Sequence, residues 1–167
     1  MSISLEHVAA RLAALEDKEA IRALKATYLR ACDLKQPEVV RECFAPGVIR
    51  IAYQNFPVFT DRDAFVAVFR DMGCQPGVFD IHHATNWDIV LTGEDTATGK
   101  WSLNFRTILA GPRQVVRLAV EYEDIYRKQD GRWWIVDTVS IITSMLTEEI
   151  ADDGSCKVIA FGAPPTA

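Results

Sequence analysis

Histidine is scarce in this 167-residue chain, which holds only His7, His82 and His83. Cysteine is nearly as sparse. Cys32, Cys43, Cys74 and Cys156 are scattered, with no CxxC pair and no Cys/His spacing that would build a zinc site, so we read them as free, mostly buried thiols. The sequence also lacks the phosphate-binding glycine loop, the GxGxxG fingerprint of dinucleotide sites and the GxSxG elbow of serine hydrolases. These absences point to chemistry that uses no metal and no cofactor. No stretch approaches the roughly 18 uninterrupted apolar residues of a membrane helix, and Met1 to His7 contains no basic region leading into an apolar run. We therefore expect a soluble, cytoplasmic protein with no membrane partner. Net charge is −5, with acidic and basic residues interspersed, so the basic stripe that a phosphate backbone demands is missing and nucleic acid is excluded as a partner.

About half of the chain is apolar, enough for one domain with a real core. Leu5, Val8, Leu12 and Leu15, followed by Ile21, Leu24, Tyr28 and Cys32, recur at helical spacing and predict that the first third is helical with one apolar stripe. The run Asp33 to Pro37 interrupts that helix and leaves Asp33 at its end. Pro37 suits the first turn of a second helix, carried by Val39, Val40, Cys43 and Phe44 to Pro46-Gly47. From Val48 the period changes to two, with Ile49, Ile51 and Tyr53 on one face of a strand. Thr60 to Asp63 reads as a capping box, opening a helix that Gly73 ends.

The remainder reads as long strands at about 79–92, 97–109, 115–128 and 133–143. Turn-forming clusters around Gly93, Gly111-Pro112 and Asp130-Gly131 separate them, as antiparallel hairpins require. Val116, Leu118, Val120 and Tyr122 alternate with Arg117, Ala119, Glu121 and Glu123, which predicts a sheet buried on one side. The fold class is α+β: a strongly curved antiparallel sheet with the N-terminal helices on its concave side, where a pocket for a small hydrophobic molecule would form. Residues 1–147 make the single domain. Residues 148–167 lack periodicity and are expected to be a tail that wraps the domain or stays disordered. The one-sided sheet suggests a homo-oligomer.

The stretch Asp80-Ile81-His82-His83-Ala84-Thr85-Asn86-Trp87 opens the first long strand and holds two of the three histidines. Histidine takes and returns a proton near neutrality, and an orienting carboxylate would complete a general base. Side chains alternate along a strand, so only one of His82 and His83 faces inward, and the residues alone do not choose. Asp33 is equally read as a helix-end residue satisfying backbone donors. Tyr28 and Tyr53 are equally core aromatics. Asp88, Asp124 and Asp137 are further strand carboxylates, suited to an acid–base site of another kind, with no spacing that singles one out.

The order of three helices, hairpin, helix and long meander resembles the NTF2-like cone, specifically its SnoaL-like and scytalone dehydratase-like branch, up to about Met145. Two local matches are more specific. Tyr28-Leu29-Arg30-Ala31-Cys32-Asp33 resembles the Tyr-x-x-x-x-Asp of bile acid 7α-dehydratases, and Ile81-His82-His83-Ala84-Thr85-Asn86 resembles the histidine segment of hexachlorocyclohexane dehydrochlorinases. The resemblance implies an Asp33–His82 general base for an elimination, with Tyr28 and Tyr53 polarising the substrate. It also implies a substrate wall at Trp101, Phe105 and Ile142, which stand at positions that are polar in those relatives, and assembly as a trimer or dimer, relatives in the dehydratase branch often being trimers; Asn86, which shares the strand parity of His82, is expected to hold substrate or a backbone group. The expected activity is that of a cofactor-independent, dehydratase-type lyase on a small hydrophobic molecule, cyclic in the manner of a polyketide, steroid or terpenoid. An isomerase or cyclase built from the same parts is one alternative. A non-catalytic cone, like the small subunit of ring-hydroxylating dioxygenases, is the other. On an ideal helix Tyr28 and Asp33 lie about 140° apart, so both reach one pocket only if the helix end deviates.

Overall fold

The computed structural model describes residues 4–163. Helix α1 runs unbroken over Leu5–Asp33, capped by Ser4, whose side chain accepts from the backbone N–H of His7 at 3.2 Å. Its end is a Schellman closure: Gln36 N–H donates to Ala31 O at 2.9 Å and Lys35 N–H to Cys32 O at 3.2 Å. The closure places Lys35 at the left-handed position, with φ of 56°. Helix α2 (Pro37–Arg41) starts on its proline as expected but stops short of Phe44. Strand β1 (Arg50–Tyr53) follows, and then α3 (Arg62–Val68). The cap of α3 is Asp61 rather than Thr60, accepting from Ala64 N–H at 2.8 Å. A single π-helical turn, Phe69–Gly73, extends α3 to the predicted glycine.

The long strands are β2 (Val78–Leu91), β3 (Thr96–Leu109), β4 (Gln114–Gln129) and β5 (Arg132–Ile150), with β6 (Cys156–Gly162) after them. They pair in the order β1-β5-β4-β3-β2, and β6 joins β5. Two expectations are corrected here. The sheet is mixed, because β1 runs parallel to β5 from Arg50 opposite Asp137 to Tyr53 opposite Ser140. The stretch after Glu148 is also not structureless: β5 continues to Ile150, and β6 returns antiparallel along Met145 to Ile150. Both follow from the length of β5, whose 19 residues give one edge room for β1 along its first half and β6 along its second. Residues 164–167 of the predicted tail lie outside the described residues.

Register shifts between Thr85 and Asp88 of β2, and at two places between β4 and β5, bend the sheet around the second half of α1. Ile21, Phe44, Ile51, Tyr126 and Ile135 are fully buried in the enclosed core. The apolar stripe at the start of α1 is not part of it. Leu5, Val8, Leu12 and Leu15 are 89%, 50%, 55% and 64% exposed, because the helix meets the sheet only from Asp17 onward. There Asp17 accepts from Lys128 Nζ and Trp133 Nε1, each at 2.8 Å.

Candidate active site

Strands β2 and β3 pair so that His82 opposes Phe105, Asp80 opposes Thr107 and Val78 opposes Leu109. Directly opposed residues share a face of the sheet, so all six line one cavity on the concave side. Alternation turns His83 outward, where it is exposed.

Asp33, the last residue of α1, approaches this strand. Its Oδ1 lies 2.6 Å from His82 Nδ1, and its Oδ2 accepts the His82 backbone N–H at 3.2 Å. A carboxylate only accepts, so the ring proton sits on Nδ1 and Nε2 keeps the free lone pair. Both side chains are sheltered, with His82 14% and Asp33 25% exposed. The Phe105 ring packs against the imidazole at 4.7 Å between centroids and limits its rotation.

Tyr28 from α1 and Tyr53 from β1 meet through their hydroxyls at 2.6 Å on the same cavity wall. One hydroxyl donates to the other, and the acceptor keeps its own proton for a third oxygen. Burial pushes both phenols well above the usual range and holds them protonated as donors. Tyr53 is fixed edge-on between Phe65 at 5.5 Å and Tyr122 at 5.7 Å. The cavity they enclose has a volume of about 310 Å³ and is lined mainly by aromatic and aliphatic side chains.

A second, outer depression of about 660 Å³ runs between α1 and β2, and Asp33, Arg30, Trp87 and Trp101 line it. His82 lines both spaces, so it forms the partition between them. This removes the difficulty of the angle between Tyr28 and Asp33. The helix end need not deviate, because Tyr28 faces the inner cavity while Asp33 touches His82 from the outer side.

Of the residues expected to form the substrate wall, Phe105 alone lines the inner cavity. Asn86 takes a left-handed φ of 49° in the β2 bulge, where Asn86 and Trp87 together oppose Trp101; parity is lost there and Asn86 is exposed. Trp101 is buried behind the outer depression, its indole N–H donating to the Tyr126 hydroxyl oxygen at 3.1 Å. Ile142 is half-buried, away from both spaces, and its backbone N–H donates to Gln54 Oε1 at 2.8 Å.

Sequence reasoning missed Asp80, Thr107 and Tyr122 as cavity residues, although the period-two pattern already placed Asp80 on the face of His82. Among the three strand carboxylates it left unranked, Asp124 is the buried one. It accepts from Tyr126 O–H and Thr138 O–H, each at 2.6 Å, and lies 2.8 Å from Lys25 Nζ. Lys25 is 1% exposed, with its ammonium 3.8 Å from the centre of the Tyr122 ring. It meets Asp124 as a charge rather than along a well-angled N–H···O bond. Burial lowers the lysine pKa and Asp124 partly restores it. Asp88 is exposed, and Asp137 pairs with Arg50 at 3.0 Å. Among the described residues no group of three or more His, Cys, Asp and Glu side chains converges as a metal centre would require, and no helix is long and apolar enough to cross a membrane.

Many solved structures share this architecture, three of which illustrate the likeness. One is a Novosphingobium aromaticivorans protein provisionally named scytalone dehydratase, 22% identical over 78% of this chain and 87% of that one, with a TM-score of 0.72. The LinA-type3 hexachlorocyclohexane dehydrochlorinase of Novosphingobium barchaimii is 16% identical over 93% of this chain and 99% of its own, also with a TM-score of 0.72. An NTF2-like protein with a cystatin-like fold from Novosphingobium aromaticivorans is 22% identical over 85% and 92%, with a TM-score of 0.71. At these identities the likeness carries the fold. The SnoaL-like domain model matches residues 13–139, well over half of the chain, and on that match this protein belongs to the SnoaL-like family.

Proposed function

We propose that the protein is a cofactor-independent lyase of the dehydratase type, acting on a small, hydrophobic, cyclic substrate. The observation that carries this reading is the 2.6 Å contact between Asp33 and His82 on the wall of a cavity that also presents two protonated phenols. His82 Nε2 removes a proton from the carbon beside a substrate carbonyl. The electron pair moves onto the carbonyl oxygen, where the free O–H of the Tyr28–Tyr53 pair stabilises the developing charge. The electrons return to expel the group on the neighbouring carbon, and hydroxide leaves as water with the proton that His82 now carries. Asp33 holds the ring in the useful tautomer and balances the imidazolium.

The names of two similar structures, a dehydratase and a dehydrochlorinase, both describe eliminations, which supports this class. A cavity left open beside the dyad also favours an enzyme over a non-catalytic cone, in which Asp33 and His82 would have no reason to touch. The test is turnover of a panel of cyclic β-hydroxy ketones by the wild type and His82→Ala, with loss of water followed by mass spectrometry. The wild type should eliminate and His82→Ala should be inactive. Equal rates in the two would overturn the reading.

A further inference from the structure

Two residues before His82, on the same face of β2, stands Asp80, and its cross-strand partner is Thr107. Both line the inner cavity, and the elimination uses neither. A carboxylate on the wall of a mainly apolar cavity is costly unless it is paired, and Asp80, 11% exposed at its side chain, is paired with Lys35 Nζ. Lys35 reaches it from the left-handed position that closes α1, a conformation glycine usually takes and other residues adopt rarely. The pairing is thus set by an uncommon backbone choice. Thr107 is 8% exposed, and its Oγ1 is sealed from water with no hydrogen-bond partner. Buried hydroxyls are almost always paired, so this one stands out. Rotation by about 120° around Cα–Cβ carries it to the position the methyl group holds, the methyl moving to that of the Cβ hydrogen.

We propose that Asp80 and Thr107 form a second recognition point that takes a hydroxyl group of the substrate, about 7 Å along the sheet from the His82 base. A hydroxyl there donates to the Asp80 carboxylate, which Lys35 orients, and accepts from Thr107 Oγ1. A carbonyl or ether oxygen at the same place has no proton to offer and meets the carboxylate lone pairs. The substrate class is accordingly a ring compound with a carbonyl near the tyrosine pair and a free hydroxyl at the far end. This inference rests on the cavity being the substrate site.

The experiment is calorimetric binding of 6-hydroxytetralone, its methyl ether and unsubstituted tetralone to the wild type, Thr107→Val, and Lys35→Met/Asp80→Leu, which removes the charge pair together. The wild type should bind the hydroxy compound about tenfold tighter than the ether. Each variant should lose most of that preference and keep its affinity for unsubstituted tetralone, which also reports that it is folded. A wild type that does not discriminate, or that binds none of the three, overturns the inference, as does a preference unchanged in both variants. His82→Ala should retain the preference, so failure of the hydroxyl site and failure of the base are read from different measurements.

Discussion

Asp33 does two things for one histidine: Oδ1 holds the Nδ1 proton and Oδ2 holds the backbone N–H of the same residue. The backbone bond fixes where the carboxylate sits, and the side-chain bond then fixes which imidazole nitrogen is free. Asp33→Asn separates these roles. The amide is nearly isosteric and can still accept the backbone N–H, but the group it then turns toward Nδ1 is a donor, which favours the tautomer with Nε2 protonated. It also brings no charge to balance the imidazolium. We expect a folded protein with kcat/KM lower by about two to four orders of magnitude, the range that general-base catalysis contributes. Unchanged circular dichroism together with undiminished turnover would remove Asp33 from the mechanism.

At the scale of elements, the polar contacts that hold α1 to the sheet include Asp17, Asp33 at the helix end and, between them, Lys25 against Asp124 of β4, to which Thr138 of β5 also donates. Burying two charges is unfavourable in itself, so the pair specifies how α1 docks more than it stabilises the fold. The asymmetry between its members can be measured. Asp124→Asn leaves an ammonium in the core without a counter-charge, and we expect a loss of roughly 3–5 kcal/mol, read from urea denaturation at pH 7. Lys25→Met/Asp124→Asn removes both charges and should be more stable than Asp124→Asn alone. A double variant as unstable as the sum of the two single changes would show that the residues do not act as a pair.

The whole molecule buries three of its four tyrosines, Tyr28, Tyr122 and Tyr126, in the enclosed core and packs the half-buried Tyr53 against it, and burial raises every phenol above its ordinary value. The consequence for stability has a definite sign. Below about pH 10, the value of a phenol in an unfolded chain, folded and unfolded states hold the same protons and nothing is lost. Above it the unfolded chain releases phenolic protons that the folded protein keeps, so stability falls as pH rises. Spectrophotometric titration should therefore show almost no phenolate absorbance until the protein unfolds in alkali, and then the signal of all four tyrosines at once. Gradual titration of one or two tyrosines near pH 10 while the protein is still folded would contradict the enclosed core.

Local sequence pattern carried the element types as far as β5 and the alternation along the long strands, whereas the pairing of Asp33 with His82 was read from a resemblance to known families. Periodicity is local, and the histidine segment and the Tyr28–Asp33 spacing are each contained within six residues. Register and the meeting of distant segments are properties of the folded chain that no local pattern carries. The parallel seat of β1 and the return of β6 along β5 are choices between sheet edges, which no local pattern encodes. Asn86 left the predicted wall because one extra residue in β2 breaks the alternation by which it was placed. The apolar stripe of Leu5 to Leu15 was legible as a helix, but its exposure depends on where the sheet ends beneath α1. Asp80 and Thr107 face each other only through the β2–β3 register, and Lys25 and Asp124, 99 positions apart in the chain, meet only because the curved sheet closes around the second half of α1.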